Sequence, residues 1–183
     1  AQTAVPQTVQ LLIHSMSTTP VIALSRRLDV LAANALGRAL FDVVYASPTR
    51  RSAASPPNLA SFVFLDPAAA GFYDDLDEAA ATCVKRLRAQ AGATPHDRQL
   101  AQLIGELSTR SADFSARWAA HDVGIHRAGT KVLRHHEVGE LVLGFEELTL
   151  DSAPSITLST YVTEPTAPTA ERLQLLAVWT ATG

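Results

Sequence analysis

The sequence has a single cysteine, Cys83, among its 183 residues, so an internal disulfide is impossible. One unpaired cysteine is typical of proteins in a reducing compartment such as the cytoplasm. No run approaches the roughly 20 apolar residues that a membrane-spanning helix needs. Residues 1–10 also lack the pattern of a secretory signal. These absences predict a cytoplasmic protein without a disulfide framework or a membrane span.

Positive charge is not in excess either. The chain carries 15 Lys and Arg residues against 18 Asp and Glu residues, which gives a formal net charge of -3. Because binding to phosphates needs a basic surface, this charge balance argues against binding of nucleic acid by this segment alone. Hydrophobic residues make up 47% of the chain, which is enough to build the core of one domain.

Motifs for covalent catalysis and cofactor binding are absent as well. The sequence has no G-x-S-x-G elbow and no glycine-rich phosphate loop. Cys83 falls on the apolar stripe of a predicted helix, where a structural thiol is the usual interpretation. We therefore predict no catalytic residue, no cofactor and no enzymatic activity.

The histidines do not predict a metal site. His135 and His136 are neighbours on a predicted strand, so their side chains are expected on opposite faces and unable to chelate together. His121 and His126 have no cysteine or acidic partner at the spacing of metal ligands. We predict that the protein binds no metal.

What the sequence does contain is a change of period between Leu28 and Phe41. Leu28, Val30 and Ala32 recur every second residue, as on a strand, whereas the apolar residues from Leu36 onward follow a helical stripe. Asn34 lies at the change and is a good helix N-cap. The stretch predicts a strand, a cap and a helix, although such a corner occurs in many α/β and α+β proteins.

The rest of the pattern predicts helices around this corner and strands after them. The first part of the chain is expected to form a helix from Gln7 to Met16, a strand from Pro20 to Ser25 in a hairpin with the Leu28 strand, and a capped helix to about Tyr45. After a loop over Ser47 to Pro57, we expect a helix from Asn58 to Leu65, a helical segment that begins at Asp66-Pro67 and ends at Gly92, and two helices capped by Asp97 and Ser111. The last part is expected to form strands over Ile125 to Leu133, Gly139 to Leu150 and Ser155 to Thr163, and a helix from Thr169 to Thr182. The exposed Arg50-Arg51 pair is expected to be solvated.

This order predicts an α+β domain. Its core would be an antiparallel sheet of about five strands, with a helical block inserted between strands two and three and helices gathered on one face. We expect residues 1–183 to form one domain, with a lead-in and helix at 1–18 and a C-terminal helix at 169–182.

A pocket between the sheet and the helices is the best candidate for a site. Aromatic and aliphatic side chains would line it, with polar groups at one end, as suits an amphipathic acid. The candidate residues are Phe62, Phe114, Trp118, His121, Arg127, Leu143, Phe145 and Tyr161. Lys131 is a further polar residue that favours such a pocket. The alternative is that the apolar members simply fill the core, which residue type alone favours.

The chain resembles the ligand-binding domain of the MmyB-like transcription regulators, and its opening corner resembles the start of PAS domains. The resemblance covers nearly all of Pro20 to Trp179. It is carried by Arg27 to Leu36, Asn58-Leu59 with Phe64 to Pro67, Gly105 to Ser108 with Ser111 and Phe114, Trp118 with His121 to Val123, Gly129 to Lys131, His135 to Leu141, and Tyr161 with Glu164-Pro165. One departure is His136, which stands where proline is expected.

The resemblance implies a PAS-like sensor domain that binds a hydrophobic small molecule, with fatty acids as the leading candidates. It also implies an Xre-type helix-turn-helix before this segment, so any contact with DNA would be made by that separate part, and a homodimer is expected. The rival interpretation is a ligand-free dimerisation module whose interface includes Thr169 to Thr182 with Trp179.

Overall fold

The computed structural model describes residues 4–50, 52–120 and 128–182. The strands are β1 (Val21–Ser25), β2 (Val30–Ala33), β3 (Ala128–His135), β4 (Gly139–Thr149) and β5 (Ile156–Val162). The helices are α1 (Gln7–Ser15), α2 (Ala35–Leu40), α3 (Asp42–Ala46), α4 (Leu59–Leu65), α5 (Ala69–Phe72), α6 (Leu76–Ala93), α7 (Arg98–Arg110), α8 (Ala112–Ala119) and α9 (Pro168–Thr182). Within those ranges, every helix is too short or too polar to cross a lipid bilayer.

The five strands form one antiparallel sheet in the order β2-β1-β5-β4-β3. The first hairpin therefore lies beside the last strand. Helices α2 to α8 are inserted between β2 and β3, and α9 follows the sheet. The predicted α+β, PAS-like fold is confirmed.

The main core lies between the inner face of the sheet and the helical block. Its central side chains are fully buried and come from both layers; among them are Leu24, Phe41, Phe62, Leu87, Leu107, Phe114 and Leu133. Burial of such side chains is the main favourable term in folding.

Helix α1 corrects the expectation that all helices lie on one face. Val9 and Ile13 pack against Val21, Ile156 and Leu158 in a second, smaller cluster on the opposite face of the sheet. All five residues of β1 are consequently buried. A strand covered on both faces loses the alternation that would reveal its inner side.

Two asparagines cap helices and also fasten the first hairpin. Asn34 accepts a hydrogen bond from the amide of Gly37 at 2.7 Å, which confirms the predicted cap. Its side-chain amide donates to the carbonyls of Met16 and Thr19, both at 2.7 Å. Asn58 caps α4 in the same way and donates to the carbonyl of Arg27. The predicted caps Asp97 and Ser111 are confirmed at α7 and α8.

Three local predictions need correction. The helix that follows Asn34 breaks at Phe41 into α2 and α3. The Asp66-Pro67 turn leads into the short helix α5, whereas the long helix α6 is capped by Asp75. Arg50 is not simply solvated, because its guanidinium donates to three backbone carbonyls, those of Tyr45, Ala53 and Ser55; Arg51 lies outside the described residues.

Helix α9 docks on β4 beyond the end of β5. The hydroxyl of Thr169 accepts from the amide of Val142 at 3.1 Å, and Arg172 donates to the carbonyl of Glu140. Leu173 and Leu176 are buried. These contacts cover strand-edge groups that β5 no longer pairs.

Candidate functional site

A small cavity lies between α6 and the inner face of the sheet. Its volume is about 50 Å³, and its walls come from β1, β3, β4, β5 and the helical block. Apolar and charged side chains share the lining, which includes Leu24, Leu28, Phe41, Tyr73, Cys83, Arg86, Lys131, Phe145, Glu147 and Tyr161. A cavity of this size holds one or two water-sized groups.

Strand alternation places one wall of this cavity. Leu141, Leu143 and Phe145 point to the inner face, and Glu147 continues the same phase. In the neighbouring strand, Tyr161 lies directly opposite Phe145. The inner face of β4 therefore changes from aliphatic to aromatic to charged along its length.

Helix α6 supplies the facing wall. Ala79, Cys83 and Arg86 follow one another at intervals of four and three residues, so they share one side of the helix and all line the cavity. Arg86 donates a hydrogen bond to the carboxylate of Glu147, and the two side chains are only 16% and 10% exposed. A buried ion pair thus connects α6 to β4.

A third charge lies beside this pair. The Lys131 ammonium is 4.8 Å from the centroid of the Phe145 ring, at the distance of a cation–π contact. Lys131 and Leu143 are cross-strand neighbours, so the cation lies on the same inner face. One end of the cavity therefore carries two cations and one anion.

Burial keeps the other titratable groups of the cavity neutral. It raises the pKa of the Cys83 thiol to about 11, although Lys131 and Arg86 oppose the shift. Burial also raises the pKa values of the Tyr73 and Tyr161 hydroxyls. Because the thiolate is the reactive form of cysteine, Cys83 is a poor nucleophile here.

Leu28 enters the cavity wall from a strained turn. Its φ of 67° lies in the left-handed region, which is uncommon for a residue with a Cβ, and its side chain is buried. Its amide donates to the carbonyl of Ser25, which closes the turn between β1 and β2. Backbone strain of this kind is often found at binding sites.

The site residues predicted from the sequence fall into four groups. Phe145 and Tyr161 line the cavity together with Lys131, and Leu143 is buried beside them. Phe62 lies one layer away, 6.2 Å from the ring of the lining residue Tyr73.

Phe114 and Trp118 lie apart from the cavity. Their rings stack at 5.6 Å on α8, and Trp118 also contacts the Arg88 guanidinium. His121 and Arg127 are outside the described residues.

Arg86 and Glu147 were not predicted from the sequence as cavity residues, and Cys83 was predicted only as a structural thiol. Glu147 could have been found, because it is in phase with Leu143 and Phe145. Arg86 could have been found from the spacing that includes Cys83. The pairing of the two charges, however, joins residues 61 positions apart.

The prediction that His135 and His136 point to opposite faces was wrong. The rings of His135 and His136 stack 4.7 Å apart, because β3 ends at His135 and alternation no longer applies to His136. Asp42 lies beside them, and one ligand atom from each of the three lies within 4.8 Å of the others. Both ring nitrogens of His135 already bond to backbone groups of Ala39 and Glu137. Without rearrangement, this cluster therefore offers a metal ion only two ligands.

Comparison with protein families identifies a match over most of the chain. The model of the MmyB-like transcription regulator ligand binding domain matches residues 5–176, which is nearly the whole chain. Comparison with curated proteins gives no match.

Proposed function

Because the chain belongs to the family of MmyB-like transcription regulator ligand-binding domains, we propose that it senses a fatty acid or a similar hydrophobic small molecule. The cavity between α6 and the sheet is the proposed binding site. The observation that carries this proposal is the composition of its lining, in which aromatic walls end at charged side chains. An acyl chain needs the first feature and its carboxylate needs the second.

Binding of an acyl chain requires the cavity to grow. Its volume of about 50 Å³ is far below the roughly 300 Å³ at which typical ligand pockets begin. The wall can separate at Leu28 and Phe145, which come from a strained turn and from β4. Ligand binding would then favour an expanded state over the closed one.

Such a difference between states is what regulation needs. A ligand shifts an equilibrium only if it binds two states with different affinity. We propose that the shift reaches a helix-turn-helix elsewhere in the regulator, in the cytoplasm, and that only this part contacts DNA. The family is a class of regulatory ligand-binding domains and not a class of enzymes.

Native mass spectrometry tests the proposal directly. Protein purified without added lipid should carry an acyl ligand, or should take up one equivalent of dodecanoic acid when it is offered. Cys83→Leu should block uptake, because the larger side chain fills the cavity. Cys83→Ala is the matched control and should leave uptake intact. Failure to find or load any acyl ligand in the folded wild type would refute the proposal.

A second candidate function is dimerisation without a ligand. It is favoured by the apolar surface of α9, where Leu175, Val178 and Trp179 are 51%, 59% and 46% exposed. Isolated exposed apolar residues are ordinary, but a cluster on one helix is typical of an interface. Sedimentation of the wild type and of Leu175→Glu, together with the test of ligand uptake, distinguishes the two candidate functions. A dimer that Leu175→Glu dissociates, in a protein that never takes up ligand, would favour this candidate.

A further inference from the structure

The buried pair of Arg86 and Glu147 is not needed to fill the core. Removing two charges from water costs free energy that their attraction roughly restores, so apolar residues of similar volume would serve packing equally well. The positions suit such residues, because Glu147 continues the inward phase of Leu143 and Phe145. The pair therefore calls for an explanation other than stability.

The charges around the pair do not balance. Among the residues that the structure describes, the Lys131 ammonium forms no ion pair and lies instead over the ring of Phe145. Among the described residues that line the cavity, Arg86 is the other cation and Glu147 is the only carboxylate. This lining thus has an excess of one positive charge, whereas Asp74, Asp75 and Glu78 line a neighbouring pocket that Lys131 also borders. An incoming anion would complete the balance.

We propose that, in the absence of ligand, the Glu147 carboxylate occupies the place on Arg86 that the head group of the ligand takes when it binds. An amphiphilic acid would place its own carboxylate on Arg86, with Lys131 beside it, and Glu147 would turn outward to solvent. Glu147 can do so because it lies two residues before the end of β4 and 10% of its side chain is already exposed to solvent. This inference rests on the proposed function, since it concerns the head group of the same ligand.

The exchange predicts selectivity for acids. A guanidinium binds a carboxylate through two parallel hydrogen bonds, whereas an alcohol offers one neutral oxygen. A long-chain alcohol therefore cannot displace Glu147 from Arg86. An acid can, and its carboxylate competes with Glu147 for the same donor.

Titration calorimetry with dodecanoic acid and 1-dodecanol tests the exchange. Wild type should bind the acid about tenfold more tightly than the alcohol, since charge-assisted hydrogen bonds are the stronger kind. Glu147→Gln should strengthen acid binding by roughly fivefold, the difference between a charged and a neutral competitor. It should leave alcohol binding within about twofold, because the alcohol leaves residue 147 in place on Arg86. Arg86→Met should remove the preference for the acid.

Two exposed neighbours provide matched controls. Glu146→Gln removes a carboxylate from the outer face of the same strand, and Arg134→Met removes an exposed guanidinium from β3. Both should leave the preference unchanged. If Glu147→Gln does not fold, Glu147→Asp withdraws the carboxylate by one methylene and should strengthen acid binding by a smaller factor.

The two proposals fail in different ways. Equal binding of acid and alcohol by the wild type, or unchanged acid binding in the folded Glu147 variant, would overturn the head-group exchange and leave the proposed function intact. Absence of binding for both probes would overturn the proposed function, and the exchange with it.

Discussion

The side chain of Asn34 should contribute more to stability than any ordinary helix cap. Its oxygen accepts from the amides of Gly37 at 2.7 Å and Val21 at 3.1 Å, and its nitrogen donates to two carbonyls, those of Met16 and Thr19. A lost cap costs about 1 kcal/mol. Each of the other three hydrogen bonds contributes about 1 kcal/mol when its partner is left buried. Asn34→Ala should therefore lower the free energy of unfolding by about 4 kcal/mol.

Urea denaturation followed by circular dichroism measures this loss. Ser111→Ala is the matched control, because Ser111 makes one cap hydrogen bond, to the amide of Phe114, and should cost about 1 kcal/mol. Asn34→Asp distinguishes the contribution of the side-chain oxygen from that of the side-chain nitrogen. It keeps the acceptor oxygen but presents a second oxygen to the carbonyls of Met16 and Thr19, so it should cost at least about 2 kcal/mol. A loss in Asn34→Ala no greater than in Ser111→Ala, or an Asn34→Asp variant as stable as the wild type, would refute the reasoning.

Two further predictions concern small side chains in the helices. Gly37→Ala should lower stability by about 2 kcal/mol or more, because the new methyl group would overlap the backbone oxygen of Val21. Gly105→Ala, in open space on α7, should raise stability by about 0.5–1 kcal/mol; equal effects of the two changes in thermal unfolding would contradict the packing argument. The Cys83 thiol should resist a disulfide reagent at pH 8, because burial raises its pKa to about 11, and it should react fully in urea. Reaction of the native protein as fast as the unfolded chain would show that Cys83 is accessible.

The features that the sequence predicted well are those set by near neighbours. Asn34, Asp97 and Ser111 cap helices because their side chains reach amides two or three residues away. The alternation from Leu141 to Phe145 gave the inner face of β4 for the same reason. Such patterns need no knowledge of the rest of the chain.

The features that the sequence did not predict depend on distant parts of the chain. The position of α1 on the opposite face is fixed by contacts between Ile13 and strands such as β5. Because both faces of β1 are apolar, its sequence does not show which face the other helices cover. His136 was misjudged because β3 ends one residue before it. A change of one residue at the end of a strand reverses the predicted direction of a side chain.

The candidate site shows how the two kinds of information combine. Periodicity alone would place Glu147 on the inner face after Phe145. A carboxylate without a partner in the core would be destabilising. The fold brings Arg86 of α6 and Lys131 of β3 to the same place, so that the carboxylate lies among cations. The strand that carries Glu147 also holds α9, through the amide of Val142. The residue that breaks the apolar pattern therefore lies on the strand that joins the cavity to the C-terminal helix.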